Sequence, residues 1–149
     1  MTTQKIQLAI KASPAEIWTA LTSPTLSPAY YYGFEAHYGE RAGETYSYVS
    51  DGKTVISGEL LEVDENRKLR MTFAGTWASD VAALPDSVVT YELGDTAMAL
   101  PGLTALTLTH EGLPDTVASR NVEKGWVLIL SGLKTLLETG APLVPAPAH

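Results

Sequence analysis

Two side chains in this sequence have the chemistry for acid–base work, His110 and Glu59. In "LTALTLTHEG", His110 shares strand parity with Leu106 and Leu108, so its imidazole is expected to face inward. There it is either a general base or a hydrogen-bonded core residue. Glu59, in "SGELLEV", alternates with Val55, Ser57, Leu61 and Val63. If that set faces inward, the enclosed carboxylate has a raised pKa and can act as acid or base. In the opposite register Glu59 meets water, which charged groups prefer. These are weak catalytic candidates, and no further set surrounds them. His37 and His149 add no metal-binding spacing, and no H-E-x-x-H or Asp-rich loop occurs, so no metal is expected. Without cysteine there is no thiolate nucleophile and no thiolate-bound zinc. Glycine-rich phosphate loops and G-x-S-x-G are also missing, which gives no support to nucleotide binding or serine hydrolysis. No cofactor is called for.

Binding is better supplied with residues than catalysis is. "LRMTFAGTW" puts Leu69, Met71, Phe73 and Trp77 on one side of a strand, provided Gly75 introduces no bulge. Methionine and aromatic side chains are both pliable cavity liners and ordinary core. "AYYYG" offers three phenols in a proline-flanked loop, and Tyr30 or Tyr31 is the expected inward ring near a cavity mouth. Trp126, Leu130 and Leu133 belong to one apolar stripe, with Gly125 and Gly132 beside it. Glycine in a helix interior costs about 1 kcal/mol against alanine, so each of these two needs a reason, such as close approach or space for a ligand.

Composition narrows the classes. The chain has 149 residues, 45% of them hydrophobic and 18% charged, an ordinary globular balance for one domain. Seventeen acidic residues against ten basic ones leave a net charge of −7. Nucleic-acid binding needs a basic surface that displaces counterions, and none is encoded. No apolar run approaches the roughly 20 residues of a membrane span, and the N-terminus lacks a signal-peptide pattern. A cytoplasmic protein is the expectation.

The elements that must position these residues are legible from pattern. "QKIQLAIKA" alternates as a half-buried strand. "SPAEIWTALTSP" reads as a short helix with Ser13 and Glu16 forming a capping box and Pro14 at the first turn. A helix this short is unstable alone, so Ile17, Trp18 and Leu21 are expected to pack on something. A second short helix is expected around Leu26–Tyr31. From Phe34 to Glu111 six β-branched runs alternate with Asp-Gly, Gly-Asp and Pro-Gly turns, an antiparallel meander, with "ASDVAALPD" as a looser stretch. Between about Thr116 and Glu138 apolar residues recur every three or four positions, which makes one long amphipathic helix ending at Gly140. Residues 141–149, "APLVPAPAH", read as a disordered proline-rich tail after a single domain over 1–140.

In this order the pieces "SPAEIWTALTSP", "AYYYG", "GETYSYVSDGKTVISGELLEVDENRKLRMTF", "TW", "SVVTYEL", "LTALTLTHEGLP" and "GWVLILSGLKTLLE" resemble the START-like, birch-pollen-allergen-like (SRPBCC) superfamily. Within it the chain is similar to the branch named for the activator of heat-shock protein 90 ATPase. The resemblance implies an α+β helix-grip fold: a curved antiparallel sheet of about seven strands wrapped around a long C-terminal helix, with two short helices after the first strand. It also implies a cavity between sheet and helix for an apolar or aromatic small molecule, with Tyr30, Tyr31, Met71, Phe73, Trp77, Trp126, Leu130 and Leu133 as its candidate wall. Other functions that it leaves open are a co-chaperone with a heat-shock protein 90-type partner, a homodimer, and a polyketide cyclase-like enzyme. The superfamily has no shared catalytic set to carry over, and fold alone does not settle function.

Overall fold

The computed structural model describes residues 1–96 and 98–144. Its elements run β1 (Thr2–Ile10), α1 (Pro14–Thr22), a 3₁₀ turn (Ser27–Ala29), β2 (Glu35–Tyr38), β3 (Thr45–Ser50), β4 (Lys53–Asp64), β5 (Lys68–Gly75), α2 (Ser79–Ala82), β6 (Ser87–Gly94), β7 (Thr104–Leu113) and α3 (Val117–Thr139). The seven strands form one sheet in the order β1-β7-β6-β5-β4-β3-β2, and every pairing is antiparallel. This is the expected helix-grip arrangement. Most of the tail expected over 141–149, with His149, lies outside the described residues; residues 141–144 are exposed and irregular.

Sequence chemistry explains both helix starts. The Ser13 hydroxyl accepts from the Glu16 amide at 3.1 Å, and the Ser13 amide donates to Glu16 Oε1 at 3.0 Å. Such a box satisfies two amides that the first helical turn leaves without partners. Thr116 caps α3 by accepting from the Ser119 amide, and Gly140 ends it in the left-handed conformation, φ 79°. At its far end α3 is tied to β1: Lys134 Nζ donates to Ala9 O at 2.7 Å and bonds Glu138, which accepts from the Lys11 amide.

The core lies between the sheet's inner face and α1 and α3. Leu69, Met71 and Phe73 alternate inward along β5, and Leu106, Leu108 and His110 do so along β7. Ile17 and Leu21 of α1 are buried as expected. Trp18 differs: it is half-buried and, with Tyr38, Val63 and Leu69, lines an open groove. Ile17 shares its face with Ala20 and Leu21, three and four positions on, and takes the inward side, whereas Trp18, about 100° further round, lies at the edge of that face. The stretch expected to be loose contains one helical turn, α2, which buries Val81.

The sheet bends where β4 and β5 separate. Gly58 directly faces Tyr46, whose hydroxyl reaches across and donates to Thr72 O at 2.6 Å. The Thr72 hydroxyl accepts from the Glu59 amide at 2.8 Å, so a side chain replaces a ladder bond here. A Cβ at residue 58 would stand 2.1 Å from Thr72 O and 2.7 Å from the Tyr46 ring. Only glycine fits beneath that ring. We therefore expect Gly58→Ala to cost about 2 kcal/mol or more, since either strand must shift to admit the methyl. Chemical denaturation would read this as a lower midpoint with an unchanged slope; a midpoint equal to the parent's would show that the bend does not depend on Gly58.

Candidate functional site

Between the sheet and α3 is a chamber of about 300 Å³. The sheet contributes Ile56 from β4 and Phe73 from β5. The helix contributes Val122, Gly125, Trp126 and Ile129, and the segment before β2 contributes Tyr31, Tyr32 and Phe34. Trp77 and Asn121 complete the wall, and both are exposed at the rim. Apart from Asn121 and the two phenols, every group on this wall is apolar; no carboxylate, imidazole or amine lines it.

The helical part of the wall is one strip. Positions 122, 125, 126 and 129 lie three or four apart and so share a face. Glycine at 125 leaves the gap: a Cβ there would stand 3.3 Å from the Tyr32 hydroxyl. Tyr32 sits at φ 53°, a conformation that non-glycine residues adopt rarely, and this turns its ring across the opening. On the other side Trp77 folds back over Gly75, where a Cβ would lie 2.3 Å from the indole ring. Trp77 is 42% exposed and meets Phe73 edge-on at 6.1 Å. The Trp77 indole thus needs a glycine beneath it, whereas a side chain at 125 asks only a small displacement of the Tyr32 hydroxyl.

Behind the wall is a buried polar chain. Trp126 Nε1–H donates to His110 Nδ1 at 2.9 Å. Because Nδ1 accepts, the neutral ring carries its proton on Nε2, which donates to the Ser87 hydroxyl at 2.7 Å. Ser87 in turn donates to Phe73 O at 3.4 Å. His110 is fully buried, and burial pushes its pKa down from 6.5 to about 4. Both ring nitrogens are occupied by the protein. Of the two readings open for His110, the geometry matches the hydrogen-bonded core residue.

Of the candidate wall residues, the structure brings Tyr31, Phe73, Trp77 and Trp126 together around the chamber. The other four lie in the packed core and do not line the chamber. Tyr30 is buried against Gly132, with its hydroxyl donating to Ala20 O. Leu130 is turned about 100° from Ile129 around the helix axis, and Leu133 lies a turn beyond the chamber; both are fully buried. Met71 is buried and accepts a weak bond from the Tyr38 hydroxyl. Of the two registers open for Glu59 the structure has the solvent-facing one: it is exposed, because Ile56, Gly58 and Leu60 take the inner side of β4. Trp77 reaches the wall from beyond the end of β5, not by strand parity. Sequence reasoning missed Tyr32, Phe34, Ile56, Val122, Asn121 and Ile129 as wall residues. Gly125, flagged for its helical cost, was the signal that could have led to its strip.

Among the described residues no group of three potential metal ligands exists, and no helix is long and apolar enough to cross a membrane. The sequence matches the family described as activator of Hsp90 ATPase homolog 1-like protein over residues 11–138. None of the curated proteins matches it. Solved structures with the same fold include protein MLL2253 from Mesorhizobium loti, 25% identical, covering 92% of this chain and 97% of that one, with a TM-score of 0.75. The Aha1 dimer from Colwellia psychrerythraea is 20% identical over 94% and 98% of the two chains, with a TM-score of 0.72. An HSP90 activator from Plasmodium falciparum is 19% identical over 95% and 99%, with a TM-score of 0.73.

The depressed His110 pKa has a stability consequence. The unfolded chain binds the imidazole proton near pH 6.5, the folded one only near pH 4. Stability is therefore complete above pH 6.5 and is lost as the pH falls towards 4, by up to about 3 kcal/mol. His110→Gln removes this titration. The parent's advantage over the variant should shrink by about 2 kcal/mol between about pH 7 and about pH 4.5. Unfolding free energies that differ by a constant amount across this range would show that His110 is not held neutral by the fold.

Proposed function

The chain belongs to the activator of Hsp90 ATPase homolog 1-like family, and from that premise we propose that it binds a flat apolar or aromatic small molecule between its sheet and its long helix. The observation that carries this reading is the chamber itself. Its volume of about 300 Å³ sits at the lower bound of ligand cavities, and its wall is mainly aromatic with few polar groups. Phe73, Trp77, Tyr31 and Trp126 give it ring faces and edges suited to stacking.

Catalysis has less support. An enzyme of the cyclase kind needs at least two titratable groups converging on the substrate. His110 lies behind Trp126 with both nitrogens engaged, and Glu59 is on the outer face. A protein partner, whether a chaperone or a second copy of this chain, remains the rival. The family points that way, and Val127 and Leu128 stand exposed side by side on α3.

Gly125→Leu tests the binding reading because it separates binding from stability. The leucine would fill the chamber from the helix side and meet the movable end of Tyr32. Replacing a helical glycine should also favour the folded state by up to about 1 kcal/mol. Flat aromatic probes should quench the indole emission of the parent at micromolar concentration. In Gly125→Leu that affinity should fall by about tenfold or more, a 1.4 kcal/mol effect, with the melting temperature kept or raised. Unchanged affinity in the variant would place binding elsewhere. No response from the parent to any such probe would shift the weight to the protein-partner reading.

A further inference from the structure

Six tyrosines, Tyr30, Tyr31, Tyr38, Tyr46, Tyr48 and Tyr91, place their rings in the interior, and four of their hydroxyls have protein partners. Tyr30 donates to Ala20 O and Tyr46 to Thr72 O. Tyr38 and Tyr48 bond each other at 2.9 Å, and Tyr38 also reaches the Met71 sulfur. The hydroxyls of Tyr31 and Tyr91 make no hydrogen bond to any described residue, yet neither is sealed off: among the described residues the fully buried side-chain polar atom without a partner is Gln4 Oε1, and these two hydroxyls keep accessible surface. A hydroxyl that keeps accessible surface and has no protein partner is free to bond water or a guest. Tyr31 is the one of the two that lines the chamber.

Its ring is not free to turn away and find a partner. It stacks on Tyr48 at 4.2 Å, meets Trp126 edge-on at 6.0 Å and packs against Phe34 at 6.2 Å. Burial, reinforced by Tyr91 nearby, raises its pKa well above the ordinary phenol value, so the hydroxyl stays protonated and remains a donor. A donor fixed deep in a wall whose other polar groups, Asn121 and the Tyr32 hydroxyl, belong to exposed residues is a specificity element: it does nothing for a hydrocarbon and rewards an oxygen on the ligand.

Building on the small-molecule reading above, we propose that the chamber selects aromatic molecules bearing a hydrogen-bonding oxygen, phenols and quinones, and that the Tyr31 hydroxyl is the group that recognises that oxygen. Such a ligand lays its ring system among Phe73, Trp77 and Trp126 and gives the Tyr31 hydroxyl the partner that the protein does not supply.

The test compares naphthalene, naphthol and naphthoquinone by quenching of indole emission in the parent, Tyr31→Phe and Tyr91→Phe. In the parent the two oxygenated probes should bind about fivefold tighter than naphthalene, the size of one net hydrogen bond. Tyr31→Phe should bring all three to the naphthalene affinity while keeping the melting temperature, since the hydroxyl makes no bond to the protein. Tyr91→Phe, which deletes the other unpartnered phenol, should retain the preference. Equal binding of all three probes to the parent would overturn the inference and leave the small-molecule reading standing. A loss in Tyr91→Phe equal to that in Tyr31→Phe would overturn the assignment to Tyr31. Failure of every probe to bind the parent would remove both the inference and the reading on which it rests.

Discussion

One buried hydrogen bond, from the Trp126 indole to His110 Nδ1, sets where the long helix sits over the sheet. Apolar packing alone is non-directional and tolerates sliding. The indole N–H must find an acceptor once it is buried, and His110 is the acceptor that β7 supplies. The requirement passes on through the imidazole to Ser87 and from there to the Phe73 carbonyl, so β7, β6, β5 and α3 share one chain of donors and acceptors. Breaking the chain at any point would leave a polar group unpaired in a low-dielectric interior, where the loss is largest. The chamber is the volume left between Phe73 and the helix once this spacing is imposed and residue 125 has no side chain to fill it.

Glycines shape the space at three further points, each by letting something approach. At Gly58 the Tyr46 ring crosses β4 and the sheet bends. At Gly75 the Trp77 indole folds back onto the end of β5. At Gly132 the backbone of Tyr30 packs against α3, with a Cβ there only 3.2 Å from the Tyr30 Cβ. The two helical glycines therefore have opposite effects. Gly132 closes one stretch of the helix–sheet contact, and Gly125 opens the other.

Much of this was legible in the residues. Alternation located the first strand, with its one wet and one dry face, and turn pairs between β-branched runs located the other six. The caps located α1 and α3 because unsatisfied amides and carbonyls at helix ends have few solutions. The wall was legible only in part. A helical stripe identifies the buried side but not which part of it faces a void, so Leu130 and Leu133 looked equivalent to Trp126. "GELLEV" has Leu60 and Leu61 adjacent, so two registers were equally apolar and parity could not orient Glu59. Trp77 lies past the last paired residue of β5, where alternation carries no information. His110 was placed inward correctly, but its role depended on Ser87 and Trp126, which are distant in sequence and meet it only in the fold.

The division of polar groups between the core and the chamber bears on what the site can do. Catalysis needs groups that are poised but not already engaged, able to exchange a proton with a substrate. Here the imidazole is held in one tautomer by two internal bonds and kept neutral by burial, which suits a strut better than a base. The carboxylates stay outside the wall, and the phenols are held protonated, with Tyr30, Tyr31, Tyr38 and Tyr48 well above the ordinary phenol value. What remains open to a guest is ring surface, the Tyr31 hydroxyl and, on exposed residues, the Tyr32 hydroxyl and the Asn121 amide. Ring surface supplies affinity in proportion to the area it takes from water, whereas a fixed donor distinguishes between guests of equal area. A wall built this way is better suited to telling guests apart than to exchanging protons with them, and the binding proposed above rests on that division.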